Sequence, residues 1–163
     1  MAAHNIREAS LEDLDRCFEI ESISYQGDEA ASKEKIATRI ENYPQGFIVL
    51  EIDGVIAGFI NSGACHNVVL SDEEFKELIG HDPEGKHIVI MSVVVHPDYQ
   101  RIGLATRLMQ SFITKMEKLN KSSIHLICQT ELINMYANFG FNYQCESESD
   151  HGGMQWHEMV IEM

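Results

Sequence analysis

The sequence predicts an α/β protein built on a mixed, mostly antiparallel sheet with helices on both faces. Three observations predict it. Two apolar runs, residues 47–52 and 55–60, flank Asp53-Gly54, a strong two-residue hairpin signal. A β-rich run, residues 88–95, breaks at His96-Pro97 and leads through Gly103 into an amphipathic helix. A helical segment stopped by Gly140 then precedes a closing hairpin, so strands outnumber crossover helices.

Taken in chain order, Ser10-Leu11-Glu12-Asp13 has the form of a capping box, and Leu14, Cys17 and Phe18 continue an apolar face, giving a first helix over residues 11–23. Ser32 opens a second helix with Ile36 and Ile40 on one side, ended by Pro44-Gln45-Gly46. After the hairpin, Ser71-Asp72-Glu73-Glu74 caps a short third helix bearing Phe75, Leu78 and Ile79. Leu104, Leu108, Phe112, Met116 and Leu119 form the stripe of the helix that follows the β-rich run. Residues 124–128 read as a strand and residues 131–139 as a helix. The final hairpin pairs residues 141–145 with 154–161.

The chain has 163 residues, is 44% hydrophobic and has only three prolines, so a single domain over residues 1–163 is expected. The start lacks a basic stretch followed by an apolar core, and no apolar run approaches the roughly 20 residues of a membrane span. A cytoplasmic protein with no membrane partner is the expectation. A formal net charge of -14 disfavours nucleic acid, whose phosphates it repels, and favours cationic small molecules. Cys17, Cys65, Cys128 and Cys145 form no C-x-x-C pair and read as buried thiols. The histidines match no zinc spacing, so no metal is expected.

The turn after the β-rich run reads as a seat for a phosphorylated cofactor, because small residues at a helix start let backbone amides approach an anion. A strand, a glycine turn and a helix also make an ordinary α/β connection. Neither G-x-G-x-x-G nor G-x-x-x-x-G-K-[ST] is present; what stands here is Gln100-Arg101-Ile102-Gly103-Leu104-Ala105, a Q-x-x-G-x-A order. It resembles the acyl-coenzyme A motif of the GCN5-related N-acetyltransferases. Tyr136-Ala137-Asn138-Phe139-Gly140-Phe141 resembles the Tyr-x-x-x-Gly-Phe segment of the same family. Cys17-Phe18-Glu19-Ile20-Glu21, the hairpin ending Gly58-Phe59-Ile60 and the Ser71 helix look like its arylalkylamine, or serotonin-type, branch.

The resemblance implies acetyl-coenzyme A as cofactor and a central strand that splays at a bulge. The backbone of Val93, Val94 and Val95 would bind the pantetheine arm and thioester carbonyl, and amides from Arg101, Ile102, Gly103, Leu104, Ala105 and Thr106 the pyrophosphate. Tyr136 matches the family's general acid. Glu21, Ser24 and Tyr25 fall where related enzymes place an acceptor wall, although ordinary loop packing fits each equally. Glu146, Glu148 and Asp150 read first as a solvated turn.

Serotonin-type enzymes carry two strand histidines where this chain has Val89 and Met91, neither of which accepts a proton. His87 would enter only through a register shift. His96 matches a family histidine without a required catalytic role. A water chain to Glu21 or a nearby histidine is the expected proton exit. The reading is an N-acetyltransferase acting by direct attack of a small primary amine, arylalkylamine or polyamine-like, in a monomer or homodimer. The alternatives are a noncatalytic acyl-coenzyme A sensor and a protein N-terminal or lysine acetyltransferase.

Overall fold

A computed structural model describes residues 3–25, 30–70, 73–100, 103–147 and 155–163. The expected hairpin is present. β2 (Ile48–Ile52) turns into β3 (Val55–Cys65) through Asp53 and Gly54, whose φ values of 50° and 83° are those a type I′ turn requires. β4 (His87–Val95) lies antiparallel to β3, and α3 (Leu104–Lys118) follows it. α3 carries β5 (Ser123–Cys128) back parallel to β4, and β7 (His157–Glu162) closes antiparallel on β5 with β6 (Asn142–Glu146) at the edge.

One strand was not expected: β1 (His4–Glu8) pairs antiparallel with β2 at the other edge. Its His-Asn-Ile-Arg-Glu sequence has a single apolar residue. What holds it is Arg7, which grips Asp13 at 2.8 and 2.9 Å and Glu51 at 2.6 Å. The full sheet order is β1-β2-β3-β4-β5-β7-β6.

The first helix is divided. The Ser10/Asp13 capping box forms, but residues Leu11–Asp13 make a 3-10 turn, and α1 runs over Leu14–Ser24. α2 covers Lys33–Asn42, with the Ser32 hydroxyl accepting from the Lys35 amide at 3.2 Å. The third helix is only a 3-10 turn over Glu73–Glu77, because Leu78 and Gly80 take positive φ directly after it; its expected cap, Ser71-Asp72, lies outside the described residues. The helix expected over residues 131–139 is a 3-10 turn, Thr130–Leu132, followed by α4 (Ile133–Asn138). Residues 148–154, which hold Glu148, Asp150 and the expected start of the last strand, also lie outside the description.

Two apolar clusters sandwich the sheet. Leu104, Leu108, Met109, Phe112 and Met116 of α3 meet Ile88, Ile90 and Ile124 on one face. Cys17, Ile20, Ile36 and Ile40 of α1 and α2 meet Val49, Phe59 and Val94 on the other. Cys17, Cys65 and Cys128 are buried as expected, whereas Cys145 is exposed on the edge strand. Among the described residues, no helix is long and apolar enough to cross a membrane.

Candidate active site

β4 and β5 pair only where His87, Ile88 and Val89 face Ser123, Ile124 and His125. Beyond that point β5 stays with β7 while β4 stays with β3, so the sheet opens between its two central strands. A bulge marks the divergence: Asn61 pairs with Ser92 and Ser62 with Ile90, leaving Met91 unopposed.

Past the bulge the strand's alternation decides which backbone groups face the opening. The His96 amide donates to the Ala57 carbonyl at 2.7 Å, and the Val94 carbonyl lies against Gly58, where a Cβ would sit 2.6 Å from that oxygen. Val94 is therefore turned toward β3. Val93 and Val95 are turned the other way, because residues of one strand address alternate neighbours. Their carbonyls meet incoming side chains: Val93 O accepts from the Tyr25 hydroxyl at 3.4 Å, and Val95 O from Gln100 Nε2 at 3.1 Å. Of the three valines expected to address the cofactor, two face the gap.

At the start of α3, Gly103 is the N-cap with φ 78°, and among the described residues no atom beyond its chain neighbours lies within 4 Å of the position a Cβ would take. Left-handed φ, rather than crowding within the chain, requires glycine here. The Arg107 amide donates to the Gly103 carbonyl at 3.1 Å, so the amides of Leu104, Ala105 and Thr106 precede the first helical bond. These amides, at the positive end of a 15-residue helix, fit a diphosphate, while the outward edge of Val93 and Val95 fits an extended amide-bearing arm. Leu104 itself is buried in the core, and Arg107 is turned to His4. Arg101 and Ile102 lie outside the described residues.

Tyr136 belongs to α4, 6% exposed, with Phe139 and Phe141 edge-on at 6.0 and 5.8 Å. The tyrosine motif closes on itself, since the amides of Phe139 and Phe141 both donate to the Tyr136 carbonyl at 3.1 Å. Burial, then the neighbouring Tyr25 and Cys128, holds the Tyr136 phenol well above the ordinary tyrosine range. It is a proton holder at neutral pH.

On the α1/α2 face, a cleft of about 850 Å³, its open mouth included, runs against β4. Val89, Met91 and Ser92 line it from the strand, Glu21 and Tyr25 from the end of α1, and Lys35 and Arg39 from α2. Phe75, Ile127 and Trp156 complete its apolar wall, and Ser24 is not part of the lining. Glu21 is buried, and its Oε2 accepts from the Ala31 amide at 2.8 Å, which ties the end of α1 to the approach of α2. His96 stands apart, its Nδ1 accepting from the Asp98 amide at 3.1 Å.

Two features escaped the sequence reading. Arg39 is 2% exposed; its Nε and Nη2 donate to the Lys76 carbonyl at 3.2 and 3.1 Å, and its Nη1 to Asn61 Oδ1 at 3.5 Å. Burial pulls its pKa down to about 10, against the attraction of Glu21 and Tyr25. The signal was available, since Ile36, Arg39 and Ile40 share one helical face. The second feature is a polar chain across the β4–β5 ladder. His87 Nδ1 lies 2.6 Å from Ser123 Oγ, which lies 2.7 Å from His125 Nε2. His87 shares the strand face of Val89 with no register shift, two residues along. Burial, with the charge of His87, pushes the His125 pKa down to about 4.

Comparison with known proteins agrees with this geometry. Residues 9–141 match the model of the acetyltransferase (GNAT) family. The chain is 26% identical over 142 residues to an N-alpha-acetyltransferase of Sulfurisphaera tokodaii, covering 85% of this chain and 80% of that protein. It is 24% identical over 131 residues to the probable hydrolase YhcX of Bacillus subtilis, covering 73% of this chain but only 25% of that longer protein. In structure it is similar to the loading GNATL domain of CurA from Lyngbya majuscula, with a TM-score of 0.87 at 15% identity over 98% of both chains. The chain belongs to the acetyltransferase (GNAT) family.

Proposed function

We propose that the chain acetylates a primary amine by direct attack on acetyl-coenzyme A, with Tyr136 as the general acid. The observation that carries the reading is the meeting of two approaches at one strand edge. The α3 N-terminus and the outward faces of Val93 and Val95 serve one side of the β4–β5 opening. The cleft lined by Glu21, Tyr25, Met91 and Ser92 serves the other. Acetyl-coenzyme A, when bound, supplies an acyl carbon already activated as a thioester.

Each remaining task falls to a group of the chain. The amides of Leu104, Ala105 and Thr106, with those of Arg101, Ile102 and Gly103, hold the diphosphate, and the amides of Val93 and Val95 hold the arm. Tyr136 keeps its proton until a thiolate takes it. A phenol above about 10 facing a thiolate of about 8.5 makes that transfer uphill by roughly 2 kcal/mol or more, tolerable for a well-placed donor. Burial holds the Cys128 thiol up at about 11 and, with Asp13, the Cys17 thiol at about 12, so neither serves as an acyl-accepting thiolate.

The incoming amine is largely ammonium at neutral pH, with a lysine-like pKa near 10.4. The buried Glu21 carboxylate attracts it, with the Arg39 guanidinium in its field. The proton leaves through water toward His125, which is neutral and hands it through Ser123 Oγ to His87 Nδ1. This chain takes the place of the strand histidines absent at Val89 and Met91.

An arylalkylamine or polyamine-like acceptor is supported by the aromatic wall of Tyr25, Phe75 and Trp156. A protein N-terminus is the second reading, favoured by the similarity to the N-alpha-acetyltransferase of Sulfurisphaera tokodaii. Thiol release from acetyl-coenzyme A with a panel of small amines and short peptides tests both. Release with amines alone supports the first reading, with peptides alone the second. Coenzyme A binding without release from any acceptor supports the sensor instead.

A further inference from the structure

The bulge in β4 decides which side chains meet the cleft. Val89 stands opposite Gly63 and Ser92 opposite Asn61, so β4 takes three steps where β3 takes two. Ile90 belongs to the α3 cluster and Val94 to the α1/α2 cluster, although an even spacing along a regular strand puts two residues on one face. The extra residue has exchanged the faces between them. Ser92, two residues before Val94, therefore lines the cleft, where an unbroken strand would turn it with Ile90 to the α3 core. The next residue, Val93, is turned to the gap between β4 and β5. The cleft and the sheet opening meet at Ser92.

The polar groups at this meeting point lack partners. Ser92 is 3% exposed, and among the described residues its hydroxyl makes no hydrogen bond. Its cross-strand neighbour Asn61 is wholly buried; the Asn61 Oδ1 accepts from Arg39 Nη1 at 3.5 Å, and among the described residues Nδ2 has no partner. Buried polar groups are nearly always bonded, so two left open side by side mark a site that a ligand completes. Asn61 is not part of the cleft lining, whereas Ser92 is. The hydroxyl is thus the group that a bound molecule reaches, and its oxygen has lone pairs for an N–H.

We infer that Ser92 is a catalytic residue whose Oγ accepts an N–H of the attacking nitrogen, which turns the lone pair to the acyl carbon and selects primary amines over N-alkylated ones. This rests on the acetyl transfer proposed above. The neutral primary amine carries two hydrogens. Its lone pair forms the C–N bond as the C–S bond breaks, the sulfur leaves with that bond's electron pair and takes the Tyr136 proton, and one amine hydrogen departs as a proton through water. The other stays on nitrogen as the N–H held by Ser92, whose own proton does not move. A secondary amine has a single hydrogen and cannot serve both. Fixing the nitrogen by one short side chain of the strand that also faces the acyl group is a gain in orientation.

Stable conjugates test this without turnover: coenzyme A joined through an S–CH2–CO link to phenethylamine or to the N-terminus of a Met-Ala-Ala peptide, each as the N–H amide and as its N-methyl amide. Calorimetry measures them on the parent protein and on Ser92→Ala. In at least one of the two arms the substitution is expected to weaken the N–H conjugate about fivefold, the loss of one hydrogen bond, and to leave the N-methyl conjugate and coenzyme A unchanged. The melting temperature is expected to stay at the parent value, since the hydroxyl has no bond to lose in the free protein. N–H conjugates that bind the parent more tightly than coenzyme A yet ignore the substitution in both arms overturn the inference. Equal weakening of both amides makes Ser92 structural, and a gain by the N-methyl amide alone makes it a steric wall; either overturns the inference. Conjugates no tighter than coenzyme A in both arms overturn the meeting of the two approaches in the proposed transfer, and the role of Ser92 falls with it, a result that the comparison with coenzyme A keeps distinct.

Discussion

The Tyr25 hydroxyl donates to the Val93 carbonyl at 3.4 Å, joining the end of α1 to the outward edge of β4 at the point where the sheet opens. The wall of the cleft and the outward edge of β4 are thereby linked through one bond. Removing the hydroxyl in Tyr25→Phe deletes a neutral hydrogen bond of about 1 kcal/mol. We expect kcat/KM for the amine to fall about fivefold, with the dissociation constant of coenzyme A unchanged by calorimetry.

Tyr136→Phe keeps the ring packed against Phe139 and Phe141 and removes only the hydroxyl. General acid catalysis contributes typically about 10²- to 10⁴-fold, so kcat is expected to fall by at least about 10²-fold with coenzyme A affinity retained. Unchanged turnover removes the acid role from Tyr136.

Gly103 takes a φ of 78° at the N-cap of α3, with open space around its Cβ position. Gly103→Val imposes on a β-branched residue a conformation costing roughly 1–2 kcal/mol, and it places a side chain where the backbone is to meet the diphosphate. Thermal unfolding is expected to shift down by several degrees, and coenzyme A binding to weaken about tenfold or more. Equal calorimetric affinity contradicts the phosphate assignment.

The His125 pKa is pushed down to about 4 by burial, against 6.5 for an ordinary histidine. The sign follows from proton uptake. Between those values the unfolded chain binds the proton and the folded chain does not, so the stability His125 contributes is complete above about pH 6.5 and is lost as the pH falls toward 4. His125→Gln is expected to flatten the fall of the melting temperature across that window. The burial-lowered His81 titrates in the same direction and keeps part of the slope. At neutral pH the same substitution is expected to lower kcat/KM about tenfold and Ser123→Ala to do likewise, because either interrupts the path from His125 to His87.

How far the sequence disclosed this molecule depended on whether a signal was local. The Asp53-Gly54 hairpin, the β4-to-α3 passage and the Tyr136 motif each follow from turn chemistry and periodicity within a short window, and they lie where expected. The split of β4 from β5 arises from pairing across the sheet, so it was legible through family resemblance rather than residue pattern. β1 was invisible because its Arg7 is held by Asp13 beyond the strand and by Glu51, a partner distant in sequence. His125 was passed over for a related reason, since only the parallel register sets it beside Val89. Arg39 was the avoidable omission, a charge on the apolar face of α2.

A crystal structure with bound coenzyme A tests the central claim most directly, that one opening between β4 and β5 seats the cofactor. The expected result is the diphosphate against the amides of Leu104, Ala105 and Thr106 and the pantetheine arm along Val93 and Val95, its sulfur directed toward Tyr136. A cofactor lodged elsewhere, with the strand edge still closed by Tyr25 and Gln100, contradicts it.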